Sequence, residues 1–193
     1  MYSLTDVVKN LLLINAVVFF ALTLPFFANY EQYFVLFPLE STRFHPIQII
    51  THMFNHGGIG HLFFNMLTLY FFGPNVERVW GPRRFLFYYL FCGLGSVLLH
   101  ILFGGGSAVL GASGAISGVL LAFAFLYPNA KVMLLIPPIP LRAKYLVMIL
   151  LGVDLYLGVT GASTGIAHFA HLGGALIGVV LIQIFRKNPD FMR

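Results

Sequence analysis

The sequence predicts an all-α membrane protein: one domain over residues 1–193, built as a bundle of six transmembrane helices. Two features of composition and one of charge lead there. Apolar residues make up 59% of the chain and charged ones 9%, against about 45–50% and about 25% in an average soluble domain. The apolar residues gather into runs long enough to cross a bilayer at about 20 residues per helix, and the basic residues fall into alternate connections.

The runs place spans near 7–28, 59–76, 84–103, 108–127, 143–160 and 167–185. The first is longer than a signal-peptide core and no small-residue cleavage site follows it, so it is expected to remain as a span. Lys9; Arg78, Arg83 and Arg84; Lys131, Arg142 and Lys144; and Arg186, Lys187 and Arg193 fall at one end of the spans, with Arg43 alone at the other. Positive charge favours the cytoplasmic side, which puts both termini there and the connections around 29–58, 104–107 and 161–166 outside. The connection 29–58 is too long and too apolar for a free loop. Tyr30, Tyr33, Phe34, Phe37 and Phe44 alternate with Glu31, Glu40 and Arg43, as in a segment lying at the membrane interface. Gly104-Gly105-Gly106-Ser107 reads as a loop before the fourth span.

Nucleic-acid binding and a disulfide framework fall away. The basic residues never form a stretch interleaved with aromatics, so the net charge of +5 points to membrane orientation and not to nucleic acid. The one cysteine, Cys92, excludes an internal disulfide.

Polar side chains within a membrane are costly and mark functional candidates. Ser113 on the fourth span, His171 on the sixth, and His61 and Asn65 one turn apart on the second come to a similar depth below the outer face. Gly111, Gly114 and Gly118 around Ser113, and Gly174 and Gly178 after His171, offer small-residue ridges for close helix packing. A serine beside a histidine supplies a nucleophile and its base. The Ser113 backbone N–H, His61 and Asn65 are candidate donors to an oxyanion. Read from residues alone, other arrangements compete. Ser113 can be packing glue, and His52, His56, His61, His168 and His171 can approach one another as metal ligands, although no HExxH accompanies them. Asp154, the acid inside the fifth span, can orient His171 as a third member or serve the structure alone.

In their order, these motifs resemble the rhomboid intramembrane serine proteases of minimal six-span type. His61-Leu62-Phe63-Phe64-Asn65 matches HxxxN; Gly73, Glu77 and Gly81 match GxxxExxxG; Gly111-Ala112-Ser113-Gly114 matches GxSG; and Ala170-His171 with Gly174 and Gly178 matches AHxxGxxxG. The resemblance runs from about His45 to Gly178. It implies a rhomboid bundle and a dyad of Ser113 and His171, with His61, Asn65 and the Ser113 amide holding the oxyanion. It further implies no need for Asp154, a structural His168, no cofactor and no metal. Phe169 and Ala170 are expected to stand nearer Ser113 than bulk lipid. The implied partners are the lipid bilayer and transmembrane-protein substrates that enter sideways past a mobile fifth span. The expected setting is a bacterial inner membrane with the site opening outward. A proteolytically inactive rhomboid-like helix binder is the alternative. Where many relatives carry a Trp-Arg pair, Ile47 and Gln48 stand here, so anchoring of the first connection is expected to rest on the aromatics before it.

Overall fold

The computed structural model describes residues 3–104, 106–133, 138–161 and 164–191. Gly105 and Arg193, part of the loop and charge readings above, lie outside them. Seven α-helices follow in order: α1 (Asp6–Thr23), α2 (Gln48–Thr51), α3 (Ile59–Trp80), α4 (Pro82–Phe103), α5 (Ser113–Leu126), α6 (Ala143–Thr160) and α7 (His168–Lys187). The fold is an all-α membrane bundle. By length and hydropathy, α1, α4, α6 and α7 can each cross a membrane; α3 is equally long but less apolar, and α5 is a shorter apolar helix.

Three helix ends depart from the apolar runs, each for a local reason. Helix α1 stops at Thr23 and not near residue 28, because Pro25 lacks an N–H and disfavours helix in the residue before it. Helix α3 runs past residue 76 to Trp80. The charge of Glu77 ends the apolar run but not the helix, because its buried carboxylate accepts hydrogen bonds from Thr5 Oγ1 at 2.5 Å and the Val7 and Val8 N–H groups at 3.1 and 3.0 Å. Those donors are the first turn of α1, where backbone N–H groups lack helical partners and negative charge is favoured. Glu77 thus caps a neighbouring helix. Helix α5 begins at Ser113 itself, five residues later than the run suggests. Val109 exchanges two backbone hydrogen bonds of 2.9 Å with Leu36, and Gly111 donates its N–H to His52 O at 2.8 Å, so the chain enters the helix extended.

Helix α7 is the central element, packed on α4, α5 and α6. Gly114 and Gly174 set its distance from α5: a Cβ on Gly174 would fall on the Gly114 carbonyl. Gly118 and Gly178 face α4 instead, where added Cβ atoms would meet the Cys92 side chain and Tyr88 Oη. At the basic end, Trp80 meets Tyr88 and Phe185 edge to face, and Arg84 donates to the carbonyls of Pro189 and Phe191, which ties the segment after α7 beneath the bundle. Between α5 and α6 lies a short antiparallel hairpin, β1 (Lys131–Met133) and β2 (Pro140–Arg142), pairing Lys131 with Arg142 and Val132 with Leu141.

The first connection folds as a 3-10 helix (Ala28–Phe34), α2, and a second 3-10 turn (His52–Phe54). Its anchor is Gln48. The fully buried amide donates to Gln32 O at 2.9 Å and Arg43 O at 2.8 Å and accepts from Phe37 N–H at 3.3 Å. Arg43 lies over the buried Phe37 ring, 3.9 Å from its centre. Gln48, read above as a departure from the family pattern, thus holds the segment from within, together with the aromatic Phe37.

Candidate active site

The end of the bundle opposite the basic termini opens into a cavity of about 1070 Å³. Helix α3 contributes His61, Phe64, Asn65 and Thr68; α5 gives Ser113; α6 gives Leu157 and Gly158; α7 gives His168, Phe169 and His171. Ser113 is the first residue of α5, so its backbone N–H has no intrahelical acceptor and lies at the positive end of the helix dipole. Its Oγ is 2.9 Å from His171 Nε2.

The partners of each ring nitrogen set the direction of the hydrogen bonds. His171 Nδ1 faces both carboxylate oxygens of Asp154, at 3.1 and 3.2 Å, and His168 Nδ1 faces Asp154 Oδ1 at 2.7 Å. An ionised carboxylate only accepts, so both Nδ1 atoms carry hydrogen. Neutral His171 is then an acceptor at Nε2, and the Ser113 hydroxyl donates to it. By the same logic His168 Nε2 accepts from Thr164 Oγ1 at 2.7 Å, while Thr164 Oγ1 accepts from the Ile166 N–H at 3.2 Å. The two Nδ1–H groups thus point to Asp154, and the Ser113 and Thr164 hydroxyls point to the histidines that carry them.

His61 is oriented from the other side. Its Nδ1 accepts the Gly57 N–H at 3.3 Å, so in the neutral ring Nε2 carries the proton. A Cβ on Gly111 would lie 2.8 Å from that nitrogen, and Gly111 has φ +120°, so both the ring's approach and the backbone exclude a side chain there. The His61 Nε2–H therefore stands beside the turn that delivers Ser113. Asn65 lines the cavity and spends one amide hydrogen on His61 O at 3.1 Å; the second is free of that bond.

The remaining histidines have separate surroundings. His52 Nδ1 donates to Gln48 O at 3.0 Å, and burial pushes its pKa down from 6.5 to about 4. His56 packs edge-on to His61 at 5.0 Å, with both ring nitrogens buried and unpartnered among the described residues; burial, then the neighbouring His61, lowers its pKa to about 4. Among the described residues no three His, Cys, Asp or Glu side chains have the grouping of a metal site. Ala170 is buried in a cluster with Leu36, Val97 and Val109, and Phe169 lines the cavity with its ring 5.5 Å from Phe103. Sequence reasoning missed Thr164 and Gln48, whose roles depend on loop contacts that spacing does not report. It raised Asp154 as a possible third member and then set it aside on the family pattern; the structure puts its carboxylate against His171.

The rhomboid domain model matches residues 43–188. Relatives include RHOMBOID-like protein 12, mitochondrial, of Arabidopsis thaliana, 33% identical over 95% of this chain and 59% of its own length. Rhomboid protein 1, mitochondrial, of Saccharomyces cerevisiae is 31% identical over 97% of this chain and 56% of its own. Rhomboid-type serine protease 2 of Emericella nidulans is 31% identical over 76% of this chain and 28% of its own. The chain thus spans little more than half the length of the first two and less of the third. These relatives are eukaryotic, two of them named as mitochondrial, and lend no support to a bacterial inner membrane. With the family match covering most of the sequence and the helices and motifs in one order, this membrane protein belongs to the rhomboid family.

Proposed function

We propose that the chain is an intramembrane serine endopeptidase that hydrolyses peptide bonds in or beside transmembrane helices of membrane-protein substrates. The observation that carries this reading is the 2.9 Å approach of Ser113 Oγ to His171 Nε2 in a cavity at one end of apolar helices. A base within about 2.6–3.2 Å of a hydroxyl can take its proton as attack begins. On that reading Ser113 Oγ attacks the scissile carbonyl carbon and its proton passes to His171 Nε2. The oxyanion that forms meets the Ser113 N–H, the His61 Nε2–H and the Asn65 amide. Collapse expels the amine, which takes the proton from His171, and water entering the cavity hydrolyses the acyl-enzyme by the reverse sequence. No cofactor takes part.

Substrate preference follows from chemistry. A carbonyl bonded within a helix is poorly presented for attack, so the substrate segment must unwind, which favours small residues at the cut and Gly or Pro nearby. The cavity is lined by residues of α3, α4, α5, α6 and α7, so a substrate segment reaches Ser113 only by entering among them. With basic residues cytoplasmic, the cavity opens to the opposite face. The test is cleavage of a single-span reporter by purified protein in detergent, beside Ser113→Ala and a reaction with chelator. Cleavage lost only in the variant supports the protease. An intact reporter, with no labelling of Ser113 by a fluorophosphonate, favours a helix-binding protein instead.

A further inference from the structure

Helix α6 has an uneven hold on the bundle. Its buried residues, Ala143, Leu146 and Val147, lie in the first two turns, while Val153, Leu155, Tyr156 and Val159 are exposed in the half that borders the cavity. Among the described residues, the hydrogen bonds that join α6 to α7 run through Asp154, which reaches His168 at 2.7 Å and His171 at 3.1 and 3.2 Å. The Asp154 side chain is 14% exposed and that of His171 18%.

Resting on the protease reading, we propose that Asp154 is a positioning residue for His171, and that it makes competence of the base depend on α6 being seated against α7. The chemistry is one of tautomers. A neutral imidazole carries one proton on either nitrogen, and only the form with hydrogen on Nδ1 presents a lone pair to Ser113. Asp154 accepts from Nδ1, selects that form, and fixes the ring plane so that Nε2 meets Ser113 Oγ. When His171 takes the serine proton, both its nitrogens carry hydrogen and the carboxylate faces the new positive charge. His168 shares the carboxylate from one turn earlier, with its far nitrogen held by Thr164, so the acid is braced from the loop between α6 and α7. Outward movement of the upper half of α6 removes the acceptor from Nδ1 and lets the ring turn or change tautomer. The enzyme is then chemically idle until the helix returns.

The rival role for Asp154 is purely structural, a tie between α6 and His168. Steady-state cleavage of a single-span reporter separates the two, with wild type, Asp154→Asn and His168→Asn compared at equal folded fraction. An asparagine offers N–H as readily as C=O and so accommodates either tautomer. Asp154→Asn is expected to lower kcat by about tenfold or more, with KM within about twofold, and to slow fluorophosphonate labelling of Ser113 in parallel. His168→Asn, which leaves Asp154 against His171 but alters one of its braces, is expected to lower kcat by clearly less than Asp154→Asn does. An unchanged kcat in Asp154→Asn, or an equal loss in both variants, overturns the proposal. Should Asp154→Asn unfold, Asp154→Glu restores a carboxylate; a folded Asp154→Glu enzyme with no catalysis above Asp154→Ala overturns it as well. Wild type that neither cleaves nor labels defeats the protease reading itself, a result distinct from either outcome.

Discussion

Gly174 of α7 lies so close to Gly114 of α5 that a Cβ on the former would occupy the latter's carbonyl. Gly114 follows Ser113, and Gly174 lies three residues, about one turn, beyond His171. The meeting of serine and histidine is therefore set by two backbones in contact. Gly174→Ala should cost at least about 1–3 kcal/mol, as overpacking does, and lower the detergent unfolding midpoint. Gly152→Ala in α6, where nothing lies within 4 Å, should be neutral or stabilising by up to about 1 kcal/mol. Equal midpoints for the two variants would contradict the close packing.

Ser113→Ala and His171→Ala should each lower reporter cleavage by at least about 10³-fold with the unfolding midpoint little changed. Cleavage retained by either removes the dyad.

The two side-chain donors should differ. His61 directs its free N–H toward the Ser113 turn, whereas Asn65 already gives one hydrogen to its own helix. His61→Ala should reduce kcat by about 10²–10³-fold and Asn65→Ala by less, both with small changes in KM. A larger loss from Asn65→Ala would reverse the assignment.

Removing the Gln48 amide leaves Gln32 O, Arg43 O and the Phe37 N–H without their partner. Gln48→Ala should destabilise by about 2–3 kcal/mol and speed proteolytic cutting within residues 29–58. Unaltered cutting would show that the connection is held elsewhere.

Stability should fall with acid through the two buried histidines of that connection. Folding lowers the pKa of His52 and His56 from 6.5 to about 4, so between those values the unfolded chain binds more protons than the folded one. The unfolding free energy therefore declines as pH drops from about 6.5 toward 4, and lies flat above that window for these groups. Unfolding midpoints measured from pH 7.5 to 4.5 should show the decline, weaker in His56→Gln. A midpoint that rises with acid contradicts it.

How much of this was legible from residues varies with the kind of contact. Helix identity followed from apolar runs because a membrane leaves a backbone few alternatives. The helix ends did not, since Pro25, the Glu77 cap and the Val109–Leu36 bridge act through backbone geometry or through partners distant in sequence. Ser113, His171, His61 and Asn65 shared a depth that helical rise could compute, and the structure brings them around one cavity. The pairing of Asp154 with two histidines depends on how α6 is rotated, which a helix exposed on most of its surface does not encode in its pattern. Gln48 escaped for a related reason: a glutamine within an apolar stretch announces burial but not its acceptors.

The 2.9 Å contact of Ser113 with His171 joins positions 58 residues apart, and Asp154 and Thr164, which hold the two histidines of α7, also follow the serine in the chain. During synthesis the nucleophile therefore enters the membrane well before its proton acceptor exists. On the protease reading proposed above, a nascent chain inserted only through α5 carries a serine with the reactivity of an ordinary alcohol, inert toward its own helices and those of its neighbours until α7 follows. On that reading, a base carried on α7 ties chemical activation to the insertion of that helix.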